Sequence, residues 1–171
     1  SGAGAGMLPP ADPAKATDPA ERLRGASHRL WADLSRQLLS ETGIDNGYLR
    51  CGGLEIRRGG PVDELAHEIA AAAGTGIEIE PLTPETAREH EPNLAADITS
   101  AYRLPQMGQV RNPRHLRALE AACVARGVRI LPGTPVHGFE RRGESVVAVQ
   151  TFSGKLTAAQ VVVAAGAWSQ L

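Results

Sequence analysis

Leu23, Leu30, Trp31, Leu34 and Leu38 recur at helical spacing and predict a long helix with one apolar face. Asp18 suits its N-cap, Pro19 its first helical position, and Glu21 completes an acidic capping box. Gly43 is a natural stop, because glycine takes the left-handed conformation after a helix without strain. Such a helix needs no role beyond packing. Alternation takes over at Gly53 to Arg57, where Leu54 and Ile56 stand against charged neighbours and predict a short strand. Residues 62–73 read as a helix ending at Gly74, and Ile77 to Glu80 alternate as a strand. Gly74 and Gly76 therefore follow a helix and precede a strand, the wrong order for holding phosphate at a helix N-terminus, and act as a helix stop.

Thr83, Pro84 and Glu85 open another short helix, which runs to about His90 and stops at Glu91-Pro92. A strand is expected over Ile98 to Leu104. Asn112-Pro113 then caps a helix with Leu116, Leu119 and Cys123 on one face and Gly127 at its end. Val128 to Leu131 reads as a strand. Val136 to Arg141 and Ser145 to Thr151 pair as a hairpin around Gly143, which Lys155 and Leu156 extend. The apolar run from Gln160 to Ser169 suits a strand buried on both faces of a sheet. Ser1 to Pro10, rich in small residues, reads as a flexible linker or an expression scar. It is no dinucleotide-binding fingerprint, because two prolines stand where the helix should start.

Composition narrows the class. The chain has 171 residues, 42% hydrophobic and 22% charged, as in an ordinary globular protein of one domain or parts of two. Its 18 basic and 19 acidic residues nearly cancel, so charge gives no reason to expect nucleic acid or an anionic membrane as partner. No apolar run approaches the roughly 20 residues that span a bilayer, and no signal peptide opens the chain. A cytoplasmic location follows as the expectation. Cys51 and Cys123 form no C-x-x-C pair and are expected to be two buried, reduced thiols. His28, His67, His90, His115 and His137 include no i, i+4 pair, so no metal site is expected. No nucleophile elbow is present. Side-chain chemistry alone supports only a soluble α/β domain.

An ordered set of small-residue segments says more. Ala5-Gly6-Met7-Leu8-Pro9 comes first, then Gly52-Gly53-Leu54 and the Glu91-Pro92 stop. The helix from Asn112 to Arg126, Val128 to Leu131, Thr134-Pro135-Val136 and Val161 to Ser169 follow. In this order they resemble the D-amino-acid oxidase family of FAD-dependent flavoproteins, and most closely its glycine oxidase branch, which serves thiamine biosynthesis. The resemblance covers essentially the whole chain.

That resemblance implies a fold, a cofactor and a set of contacts. The fold is α/β: a partial FAD/NAD(P)-binding, Rossmann-like domain with part of a mixed-sheet substrate domain, whose sheet is mixed or antiparallel. Residues 1–46 and 107–171 belong to the first and residues 47–106 to the second. FAD is the cofactor. Ser1, Ala5, Gly6 and Met7 are implied contacts on the isoalloxazine and ribityl region, with Met7 also near the substrate; a disordered end is the alternative for this stretch. Val136 is implied to pair its backbone with adenine, with ordinary strand packing as the alternative. Ala165 and Gly166 are implied to pass the phosphates or ribose, against plain backbone packing.

The implied reaction oxidises glycine or a similar small amine to an imine, with molecular oxygen as co-substrate and hydrogen peroxide released. A D-amino-acid dehydrogenase, a sarcosine-type oxidase and a non-catalytic flavoprotein remnant stay open. No residue is identified as catalytic acid, base or nucleophile. The family's strand, G-x-G-x-x-G turn and helix are missing before Ser1, and its substrate arginine lies beyond Leu171. The chain alone is therefore expected to be inactive and to bind FAD weakly. A homo-oligomer of the full-length parent stays open.

Overall fold

A computed structural model describes residues 4–59, 69 and 76–169 of the chain. Ser1, all but residue 69 of the helix expected over residues 62–73, its stop at Gly74 and His67 lie outside the described residues. The elements are mixed α and β, in two compact units, Ser1–Gly127 and Val128–Leu171. Every strand pairing among the described residues is antiparallel.

In the first unit, strand β1 (Met7–Leu8) precedes helix α1 (Pro19–Thr42). The Asp18 carboxylate accepts from the Glu21 backbone N–H at 2.8 Å, and Gly43 closes the helix at φ +71°. Glu21 reaches back one residue further than a capping box would, to the Thr17 backbone N–H at 2.9 Å. Leu38 is buried and Leu34 packs beside it, whereas Leu23 and Leu30 are 69% and 61% exposed. The apolar face is therefore narrower than the periodicity predicts. The N-terminal half of the helix instead buries Gly25, where an added Cβ would lie 2.4 Å from the Pro13 nitrogen.

Strands β2 (Gly53–Arg58), β3 (Glu80–Leu82) and β4 (Ile98–Leu104) form one sheet in the order β2-β4-β3. The strand expected over Ile77 to Glu80 begins only at Glu80, where Arg103 of β4 is its first partner. Central β4 buries Ile98, Ala101 and Leu104, and helix α2 (Pro84–His90) lies against it with Ala87 fully buried. Strand β5 (Gly108–Gln109) leads into helix α3 (Asn112–Ala125). Helix α3 buries His115, Ala118 and Ala122, while Leu116 is 36% exposed and Cys123 only half-buried. The small alanines permit close approach to α1, so the larger leucines predicted for this face sit beside the contact rather than in it. Cys51 is exposed, contrary to the expected pair of buried thiols, because it lies in the irregular stretch before β2 rather than in an apolar element.

The second unit is a three-stranded meander of β6 (Val136–Arg142), β7 (Ser145–Thr151) and β8 (Gly154–Thr157). Gly143 turns the hairpin at φ +61°. Val128 to Leu131 forms no strand, and Gln160 to Ala165 is irregular before a 3-10 turn at Gly166–Trp168. Val162 is 87% exposed, against the buried strand expected there. Apolar character makes a strand only where another strand accepts its ladder of hydrogen bonds, and neither run has such a neighbour among the described residues.

Candidate functional site

Among the described residues, hydrogen bonds to Val110 and Asn112 hold residues 4–8 along one edge. The Val110 N–H donates to the Gly6 carbonyl at 2.8 Å, and the Asn112 side-chain amide donates to the Gly4 carbonyl at 3.2 Å. Gly6 sits at φ +82°, and a Cβ built on it would lie 2.1 Å from the Val110 carbonyl oxygen. Both its conformation and its closeness to β5 thus demand glycine. Met7 pairs with Gln109, whose own N–H and C=O are committed to Leu49 on the opposite side at 2.8 and 3.0 Å. In an antiparallel pair this puts the Met7 N–H and C=O on the outer edge, away from β5. The Met7 side chain is 66% exposed, and Gly4 and Ala5 are exposed beside it. The backbone of residues 4–6 thus carries no side chain larger than a methyl group. The adjoining cleft, about 600 Å³, is lined by Gly4, Ala5, Gly47 and residues 109–114.

Behind this edge lies a buried polar cluster. Asn46 is 2% exposed, and its amide nitrogen donates to Ser35 Oγ on α1 at 3.0 Å and faces His115 Nδ1 on α3 at 3.1 Å. Its side-chain oxygen accepts from the Tyr48 N–H at 3.0 Å, and its backbone carbonyl from the Arg111 N–H at 2.9 Å. The Trp31 ring leans on His115 with centroids 4.7 Å apart. Burial pushes the His115 imidazole below its ordinary range, since charge is costly away from water. A neutral ring with Nδ1 as acceptor completes the amide's bonding.

The other predicted contacts lie in the second unit. Val136 opens β6 opposite Thr151, with a register shift before Gly138. β6 is an edge strand of the meander, and its outer side carries no strand among the described residues. Ala165 precedes the 3-10 turn and Gly166 stands at φ +58° with nothing within 4 Å of a built Cβ. Glycine is needed there for conformation, not for space. Ser1 lies outside the described residues.

Three participants are not marked by the sequence pattern. Asn112 was expected to cap α3, but Arg111 is the N-cap residue, without a side-chain bond, and the Asn112 amide turns to Gly4. Val110 gives the first segment its docking strand. Asn46 sits in an irregular turn after α1, where no periodicity marks a buried position. Among the described residues no group of three or more His, Cys, Asp or Glu is placed to hold a metal ion. No helix there is long and apolar enough to cross a membrane.

Comparison with known proteins identifies the family. The family model described as FAD dependent oxidoreductase matches residues 1–171. The bifunctional protein ThiO/ThiG of Synechocystis sp. is 32% identical over 170 residues, covering 99% of this chain and 24% of that protein. Glycine oxidase of Geobacillus kaustophilus is 33% identical over 172 residues, covering 99% of this chain and 45% of that protein. The crystal structure of glycine oxidase from Bacillus cereus superposes with a TM-score of 0.83 at 30% identity, over 98% of this chain and 45% of that one. The chain thus spans less than half the length of these relatives.

Proposed function

The chain belongs to the FAD-dependent oxidoreductase family, and from that premise we propose that its full-length parent oxidises glycine or a similar small amine. The amine gives up two electrons and two protons to become the imine, and molecular oxygen takes them up as hydrogen peroxide. FAD, when bound, supplies the two-electron acceptor that links these halves. The observation that carries the reading is the outer edge of residues 4–8, with small residues at 4–6, a glycine at 6 whose Cβ would meet the Val110 carbonyl, and an outward-facing Met7 N–H.

The roles of this chain's residues follow from that edge. Ala5 and Gly6 keep the approach open. Met7 would offer its outward backbone N–H to a cofactor acceptor, with its side chain near the substrate. Val136 would offer backbone at the edge of β6 to an adenine, and Ala165 and Gly166 would turn the chain beside the ribose or phosphates. Ser1 would add a hydroxyl. Residues 1–46 and 107–171 would form the cofactor domain, and residues 47–106, which contain the β2-β4-β3 sheet, part of the substrate domain. A cytoplasmic place in thiamine biosynthesis suits this reaction.

The test is peroxide release by full-length protein reconstituted with FAD, across glycine, sarcosine and larger D-amino acids. Glycine or sarcosine should lead. Reduction of an artificial acceptor without peroxide would favour the dehydrogenase reading, and silence with every amine would refute the proposal.

A further inference from the structure

We infer that Asn46 is a positioning residue for the cofactor strand: its buried amide ties α1 to α3 and seats the backbone of residues 109–112 against residues 4–8. The inference rests on the proposed flavin contact of that strand. Arg111, whose N–H the Asn46 carbonyl accepts, lies between the two residues that grip the strand, Val110 on Gly6 and Asn112 on Gly4. A shift of Asn46 therefore passes to both grips through a single peptide unit on either side. Gly47, its neighbour, lines the same cleft as Gly4 and Ala5.

The chemistry of the cluster points to placement rather than adhesion. An apolar side chain would fill the space between α1 and α3 in several orientations. The amide has one: each N–H has its own acceptor, Ser35 Oγ and His115 Nδ1, and the oxygen has the Tyr48 N–H. A buried polar group satisfied on all sides costs much to move, because any displacement leaves partners unpaired. The Trp31 ring, stacked on Tyr48 and leaning on His115, closes the cluster from the α1 side. The depth of the strand beside the cleft is thus set by hydrogen-bond geometry.

The experiment uses the full-length flavoprotein and three readouts: FAD dissociation constant from flavin fluorescence, the visible flavin spectrum, and the thermal midpoint of the apoprotein. Asn46→Ala should weaken FAD binding about tenfold or more and shift the flavin bands. His115→Leu should act in the same direction. His115→Asn, which keeps an acceptor near the place of Nδ1, should restore much of the loss. Leu38→Val, a change in the apolar core of α1 and α3 that removes no hydrogen bond of the amide or the strand, should lower the thermal midpoint and leave the flavin spectrum unchanged. If Asn46→Ala fails to fold, the His115→Leu and His115→Asn pair decides alone. Variants with wild-type affinity and spectrum, or losses that merely follow the thermal midpoint as in Leu38→Val, would overturn the inference while leaving the proposed function standing. A wild-type protein that binds no FAD would overturn both.

Discussion

Gly6→Ala is the sharpest single perturbation of the candidate site, and Gly43→Ala is its control. Both glycines have positive φ, +82° and +71°, so both substitutions carry the left-handed penalty of roughly 1–2 kcal/mol. They differ in space. Nothing lies within 4 Å of a Cβ at Gly43, whereas one at Gly6 would lie 2.1 Å from the Val110 oxygen. The strand must then back away from β5, which breaks the 2.8 Å bond from Val110 to Gly6 at a further cost of about 1–3 kcal/mol. Gly6→Ala should therefore cost about 2–5 kcal/mol in all. Urea denaturation of the two apoproteins measures the difference, and FAD titration of each shows whether it reaches the cofactor. Gly6→Ala should lose both stability and FAD affinity, and Gly43→Ala only a little stability. Equal destabilisation by the two would refute the close approach. Unchanged FAD affinity in Gly6→Ala would refute the role given to the strand.

Val136→Ala should leave FAD affinity almost unchanged, because the proposed contact uses the N–H. Val136→Pro should weaken it by about 1–3 kcal/mol after correction for folding, and equal effects would remove the adenine contact. His115 is held below its ordinary pKa in the folded protein, so the unfolded chain binds the extra proton first as pH falls below about 6.5. Stability should be complete above that pH and decline as pH drops toward the folded value. Denaturation at a series of pH values should show a shallower decline for His115→Asn than for wild type. The 171-residue chain by itself should bind FAD weakly and make no peroxide, as it lacks a Gly-rich turn that places pyrophosphate at a helix N-terminus. Sub-micromolar binding in a calorimetric titration would contradict this.

Elements governed by local chemistry were legible in the sequence. Asp18, Pro19 and Gly43 bound α1 as expected, and Ile98 to Leu104 forms β4 end to end. The β6-β7 hairpin turns at Gly143 as its pattern requires, and β8 extends it. Features that depend on distant partners were not. Val128 to Leu131 and Gln160 to Ala165 carry strand-like runs, but a ladder needs a neighbour that sequence pattern does not supply. The α3 face turned toward Ala118 and Ala122 because closeness between helices selected small residues over Leu116. In the candidate site, the small-residue run at Ala5 to Met7 was visible, yet what holds it was not. Asn112 resembles a helix cap, and Asn46 resembles a polar loop residue, until their partners are known.

The most direct test of the account mixes FAD-reconstituted full-length protein with glycine in the absence of oxygen. The account predicts that the yellow flavin absorption bleaches, and that admitting oxygen restores it with one peroxide released per glycine oxidised. A protein that takes up no FAD, or one whose flavin stays oxidised with glycine, sarcosine and D-alanine alike, would contradict it.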